Sequence, residues 1–264
     1  MILFVVEGAK VEPNIYRTIK ELYFREEEDI IYVFGSNIYA LYCRLKNYDA
    51  DFESIENASD IVAVLRELYP DQLSSIEHSS DIDQIFLFFD YDFQHAFHVL
   101  ELHPDYGLEK VLEENNERLA QLLSFFNEET ETGKLFINYP MVEALKYTKL
   151  LPDNNYCYYT TTLDECHGSF KAKAEQFSDY KAYQGILLDG TMDAQIVKSN
   201  WELLKQQNIM KAAYICGHSY AVPQDKDSIS QAKIFRHQLQ WHDNDKREIA
   251  ILSSFPLFLY EYFK

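Results

Sequence analysis

The residues with the most chemistry to offer are two aspartates, Asp90 and Asp92, which close the stretch IFLFFDYDFQ between Ile85 and Gln94. Five large apolar residues in a row, with no helical period, predict a buried strand, and such strands rarely end in paired carboxylates. If strand geometry holds through Tyr91, both carboxylates project to one face, and their repulsion needs a cation such as Mg²⁺ to relieve it. A solvated acidic turn after a core strand competes with this interpretation, so the pair needs acidic company from elsewhere in the chain. Glu7 answers that need. It ends the apolar run Ile2 to Val6 and precedes Gly8, which is the pattern of a central strand feeding a tight turn. Glu143 follows a further apolar run, KLFIN, at 134–138. Adjacent parallel strands would bring Glu7, Asp90 and Asp92 to one sheet edge as oxygen ligands for one or two Mg²⁺ ions, the chemistry of phosphoryl transfer. Glu7, if it stays off the metal, is placed to act as general base.

The elements that must position these acids follow from periodicity. A helix is expected over about 13–27, with Pro13 in its first turn and Ile15, Tyr16, Ile19 and Leu22 on one face. A second strand at 30–34 leads through Gly35, Ser36 and Asn37 into a helix carrying Ile38, Leu41, Tyr42 and Leu45. That turn offers backbone N–H groups to an anion, and equally offers Ser36 or Asn37 as an ordinary N-cap. Helices are expected over about 58–69 and 106–127, and 134–138 forms a fourth strand. Pro140 can start a helix with Glu143 one turn in. His95 and His98, in the polar passage after the aspartates, could touch a metal or a leaving group, or simply pack. From Leu151 onward three helix-like patterns, 170–183, 191–207 and 230–241, dominate, with a short strand at 185–188. The tail SSFPLFLYEYFK suits core or an oligomer contact. The division expected is 1–150 as the catalytic domain and 151–264 as a mainly helical C-terminal domain or extension.

Composition bounds the partners. The 264 residues are 47% hydrophobic and 15% aromatic, enough for a sizeable core and too aromatic for a disordered chain. Asp plus Glu number 43 against 24 Lys plus Arg, a net charge of -19 that repels nucleic acid at long range. Any nucleic-acid activity therefore needs local basic groups, divalent ions or a basic partner, and Lys10 and Lys146, near Glu7 and Glu143, are the compensating charges at hand. Their competing reading is as exposed surface lysines. The apolar runs are too short for a signal sequence or a membrane span, and scattered cysteines fit a reduced, cytoplasmic setting. Cys166-His167 and Cys216-Gly-His218 lack zinc-finger spacing. No Walker A, GxSxG or GxGxxG motif occurs.

The stretches FVVEGAKVEPNIY, with Glu7, Gly8 and Glu12, and FLFFDYDFQ, with Asp90 and Asp92, resemble the Glu and DxD signatures of TOPRIM domains, most closely those of the OLD-like and RloB-like nuclease branches. The Gly35-Ser36-Asn37 turn and YPMVEAL around Glu143 are similar to further elements of those branches, and the resemblance covers about 1–150. It implies an α/β fold: a Rossmann-like TOPRIM core with a central, mainly parallel sheet, followed here by a mainly helical C-terminal part. It also implies Mg²⁺ or Mn²⁺ dependence and cleavage of DNA or RNA phosphodiesters in phage defence, often beside an ABC-type ATPase. Carried over by motif, Glu7 is metal ligand or general base, Asp90 and Asp92 are metal ligands, and Glu12 and Glu143 are second-site ligands. Lys10, Gly35, Ser36, Asn37 and Lys146 would meet the phosphate or nucleic acid, and a homo-oligomer is compatible with this scheme. The chain departs from the pattern in its acidity and in lacking a Lys or Arg soon after the DxD pair. Two alternatives stay open: a sensing or scaffold subunit with weak catalysis, and a phosphatase or nucleotidyl-transfer enzyme acting on a small phosphate.

Overall fold

A computed structural model of the protein describes residues 1–25, 27–52, 55–177, 184–242 and 247–263. Its centre is a five-stranded sheet built from β1 (Ile2–Val6), β2 (Asp29–Val33), β3 (Gln84–Asp90), β4 (Asn127–Glu128) and β5 (Gly133–Asn138), in the order β2-β1-β3-β5-β4. All pairings are parallel except that of the two-residue edge strand β4. A parallel sheet is covered on both faces, which explains why β1 and β3 are apolar at successive positions rather than alternating. The chain leaves β1 for β2 on one side and returns to β3 on the other, so the strand order reverses between β1 and β3. Open α/β sheets bind ligands beyond the carboxyl ends of their strands at such a point.

The crossovers are helices α1 (Glu12–Tyr23), α2 (Ile38–Tyr48), α3 (Ala58–Leu68), α4 (Phe93–Leu102) and α5 (Leu108–Phe125). Pro13 does sit in the first turn of α1, and the Asn37 side chain caps α2 by accepting from Ala40 N at 3.0 Å. The polar passage after the aspartates folds into a helix. It is α4, with the Asp92 carboxylate as its cap, accepting from Gln94 N at 3.0 Å. Glu143 lies in a short 3-10 helix, Val142–Lys146, rather than one turn into an α-helix begun at Pro140.

The C-terminal part comprises β6 (Thr160–Thr162), α6 (Leu163–Gly168), α7 (Phe170–Phe177), α8 (Ala194–Gly217), α9 (Gln231–His242), β7 (Glu248–Ala250) and α10 (Ser254–Tyr262). β6 and β7 form a small antiparallel sheet. The helix expected over 170–183 is described through Phe177, and 178–183 lie outside the described residues. The expected strand at 185–188 is instead a 3-10 turn, Gln184–Ile186, tied to α8 by Trp201 Nε1 donating to Ile186 O at 2.8 Å. The helix expected over 191–207 continues to Gly217.

The apolar tail forms α10 and packs into the sheet. Phe255 stacks on Phe88 of β3 at 4.5 Å between ring centroids, and Phe258 meets Phe4, Phe86, Phe88 and Phe136 edge-on at 4.9 to 5.8 Å. Rings in such edge-to-face contact add about 0.5–1.5 kcal/mol per pair beyond their burial. One continuous buried cluster therefore includes residues of both the sheet and the C-terminal helices. Among the described residues, no helix is long and apolar enough to cross a membrane.

Candidate active site

The register of the parallel strands decides which acids meet. Val6 pairs with Phe88, and Asp90 pairs with Asn138, so Glu7, Asp90 and Asn138 share the carboxyl edge of β1, β3 and β5. Glu7 Oε2 accepts from Asp90 N at 3.1 Å, and Asn138 Nδ2 donates to Asp90 Oδ1 at 3.1 Å. In the turn after β1, Glu12 folds back so that its Oε1 accepts from Gly8 N at 2.9 Å. A Cβ on residue 8 would stand 2.8 Å from both Glu12 carboxylate oxygens and would push that carboxylate from its place. Asp92 is anchored by Gln94 N and by Asn37 Nδ2, the latter at 3.2 Å.

Glu7, Asp90, Asp92 and Glu143 line one cleft of about 300 Å³, and its opposite wall is the α6–α7 junction with His167, Ser169 and Lys171. Glu143 is 4% exposed, and its Oε1 lies 3.0 Å from Lys171 Nζ. Burial pushes the Glu7 carboxyl up to about 8 against the opposing Asp90 N–H, with Asp92 and Glu12 adding repulsion. Burial also lifts Asp90 well above the usual carboxylate range, Glu7 and Glu12 reinforce it, and the Val142 N–H and the Asn138 amide oppose it. Glu12 is raised by burial and by Glu143, and lowered by Gly8 N–H and by Lys171.

The expected acids thus converge, Glu12 doing so from behind Gly8 rather than from the cleft wall. The expected basic groups do not. Lys10 is exposed and outside the lining of the cleft. Lys146 is neither a cleft residue nor an exposed lysine: it is 8% exposed, with Nζ 3.6 Å from Glu175. Gly35 and Ser36 are exposed in the turn before α2, where Gly35 takes a φ of 70°, and Asn37 reaches the site through Asp92. His95 lies behind Asn37, 3.3 Å from its amide, with burial lowering its pKa. The cation that does stand in the cleft is Lys171. It occurs in an unremarkable helical pattern 79 positions beyond Asp92 (171 − 92), so no local signal could have found it.

Whether these residues suit a hard dication can be judged from their chemistry. Four carboxylates share a partly dehydrated cleft with one lysine, and two of them are held in the protonated direction by burial and mutual repulsion. Carboxylate oxygens in such excess over positive charge suit Mg²⁺ or Mn²⁺, with Cys166 and His167 among the residues of the facing wall. Among the described residues no three His, Cys, Asp or Glu side chains are already gathered as a metal site, so the fit is one of donor type and charge. Comparisons with protein-family models, with curated proteins and with solved structures gave no match.

Proposed function

We propose that the protein is a divalent-cation-dependent phosphodiesterase acting on nucleic acid. The observation that carries this reading is the meeting of Glu7, Asp90, Asp92 and Glu143, from three successive parallel strand ends, in one cleft that holds a single lysine. Mg²⁺ or Mn²⁺ held by Asp90, Asp92 and Glu143 would supply the positive charge that stabilises a phosphoryl-transfer transition state. Glu7, whose carboxyl is raised to about 8 by burial, is the carboxylate placed to take a proton from an attacking water once a bound cation draws it into its charged form. Lys171 can turn from Glu143 to a substrate phosphate oxygen, since its side chain is 64% exposed. Asn138 and Asn37 fix the two aspartates, which keeps the donor oxygens oriented.

The TOPRIM relationship, a role in phage defence and an ABC-type ATPase partner extend this proposal on motif resemblance alone. The test is incubation with DNA and RNA in Mg²⁺ or Mn²⁺. Cleavage is expected in wild type, lost by a factor of about 10³ or more in Asp90→Ala and Asp92→Ala, and retained with raised KM in Lys171→Ala. Cleavage that survives both aspartate substitutions would sink the assignment. A second reading, a phosphatase or nucleotidyl-transfer enzyme on a small phosphate, is favoured by the confined cleft of about 300 Å³ and the net charge of -19. Faster turnover of mononucleotides than of polynucleotides would select it.

A further inference from the structure

A second depression opens beyond Asp92. The Asn37 amide joins the two, donating to Asp92 Oδ2 at 3.2 Å and standing 3.3 Å from His95 Nδ1. Asp92 lines the acidic cleft, whereas Asn37 and His95 line a groove of about 550 Å³ on α2, α4 and α5, with His98, His103, Tyr106 and Arg118. It lacks the cleft's excess of carboxylates. Three histidines, two asparagines and the Arg118–Glu114 pair, whose charged groups stand 3.6 Å apart, line it in a chain of net charge -19. Flat rings are also presented: His103 and Tyr106 stack at 4.9 Å and 18°, and Tyr106 is 45% exposed. Exposed rings beside cationic groups hold unpaired nucleotides, stacking a base while the cation meets the backbone. A duplex keeps its base faces stacked on one another and cannot use such a platform.

We propose that this groove binds the nucleotides flanking the scissile phosphate of a single-stranded nucleic acid, which runs from the acidic cleft over Asp92 and Asn37. The inference rests on the phosphodiesterase reading and adds a substrate class to it, an extended single strand in place of a duplex or a lone mononucleotide. Tyr106 and His103 stack a base, and Arg118 turns from Glu114 to meet a phosphate. DNA and RNA share this chemistry.

The experiment measures binding without turnover. The full chain carrying Asp90→Asn is titrated in Mg²⁺, by fluorescence anisotropy, against labelled single-stranded DNA and RNA of about twelve nucleotides, with the matching duplex and a mononucleotide as competitors. Single strands are expected to bind about tenfold or more tightly than either competitor, and adding Tyr106→Ala with Arg118→Gln should weaken them by about tenfold. In the wild-type acidic background the same pair of substitutions should leave Mn²⁺ affinity unchanged by calorimetry, which shows that the cleft is intact. If the double variant melts early, His103→Ala alone serves in its place. Equal affinity for duplex, absence of single-strand binding, or single-strand affinity unmoved by the groove substitutions would overturn the proposal. Groove-dependent binding by a wild-type protein that cleaves nothing would overturn the hydrolase reading and leave the groove standing.

Discussion

Glu7 carries a titration that should be visible in the stability of the cation-free protein. Its carboxyl is pushed up to about 8 in the folded state and returns to about 4.5 when the chain unfolds. Between those values the native state binds more protons than the unfolded one. The stability that this group contributes is therefore full below the unfolded value and is lost as pH climbs through the folded one. In a chelating buffer the melting temperature is expected to fall between about pH 5.5 and 8.5, and Glu7→Gln to flatten the fall in part, with Asp90 supplying the remainder. Added Mn²⁺ should work in the other direction and stabilise more as pH rises, because a cation takes the deprotonated carboxylates. Calorimetric scans across that range, with and without Mn²⁺, check both signs. Much of this chemistry was legible in the sequence: Glu7 and Asp90 stand at the ends of apolar strands, where a carboxylate is unusual enough to notice, and Asp92 follows two positions on as the cap of α4. Lys171 and Asn138 were not legible. One is a lysine on an ordinary helix, the other an asparagine at the end of an ordinary strand, and only the fold gives them neighbours.

At the scale of elements, β5 ties the C-terminal part to the acids. Asn138 Oδ1 accepts from Ser254 N and from Ser254 Oγ, both at 2.9 Å, while its Nδ2 donates to Asp90. One side chain, 1% exposed, thus holds the start of α10 and orients a site carboxylate. Asn138→Ala strands the buried Ser254 N–H and removes a donor that favours the charged form of Asp90. Denaturant titration should show a loss of about 2–3 kcal/mol, and Mn²⁺ calorimetry a weaker affinity. Element boundaries were readable where amphipathic periodicity was long, as in α2, α3 and α5. The passage holding His95 and His98 gave no helix to the reading of the sequence, because the cap of α4 is Asp92 itself, a residue already spoken for by chemistry. β6 and β7, three residues each, are too short to leave a pattern and exist only because they pair with each other across the chain.

For the whole molecule, the division at 150–151 suggested by the change in sequence character does not coincide with a break in packing. Phe255 and Phe258 from the far part complete the face of the sheet formed by Phe4, Phe86, Phe88 and Phe136. A shared core predicts shared cooperativity. Phe258→Ala is expected to cost about 3–5 kcal/mol and to lower a single calorimetric transition, leaving no separate, unshifted transition for the rest of the chain. Two transitions, of which one keeps its wild-type midpoint, would show that the parts melt independently.

The seating of Phe258 on Phe4 also sets a timetable for synthesis. A ribosome releases β1 early, yet the helix that covers its aromatic face is made only after almost all the intervening residues. Until then Phe4 has Tyr16 and Phe24 of the early chain against it, but Phe4, Phe86 and Phe88 lack the rings that α10 brings, and those contacts are among the most distant in the chain. Packing of the acidic edge is therefore completed only with translation of α10, and a nascent chain stalled before Ser254 carries Glu7, Asp90 and Asp92 without the rings of Phe255 and Phe258 and without the Ser254 bonds to Asn138.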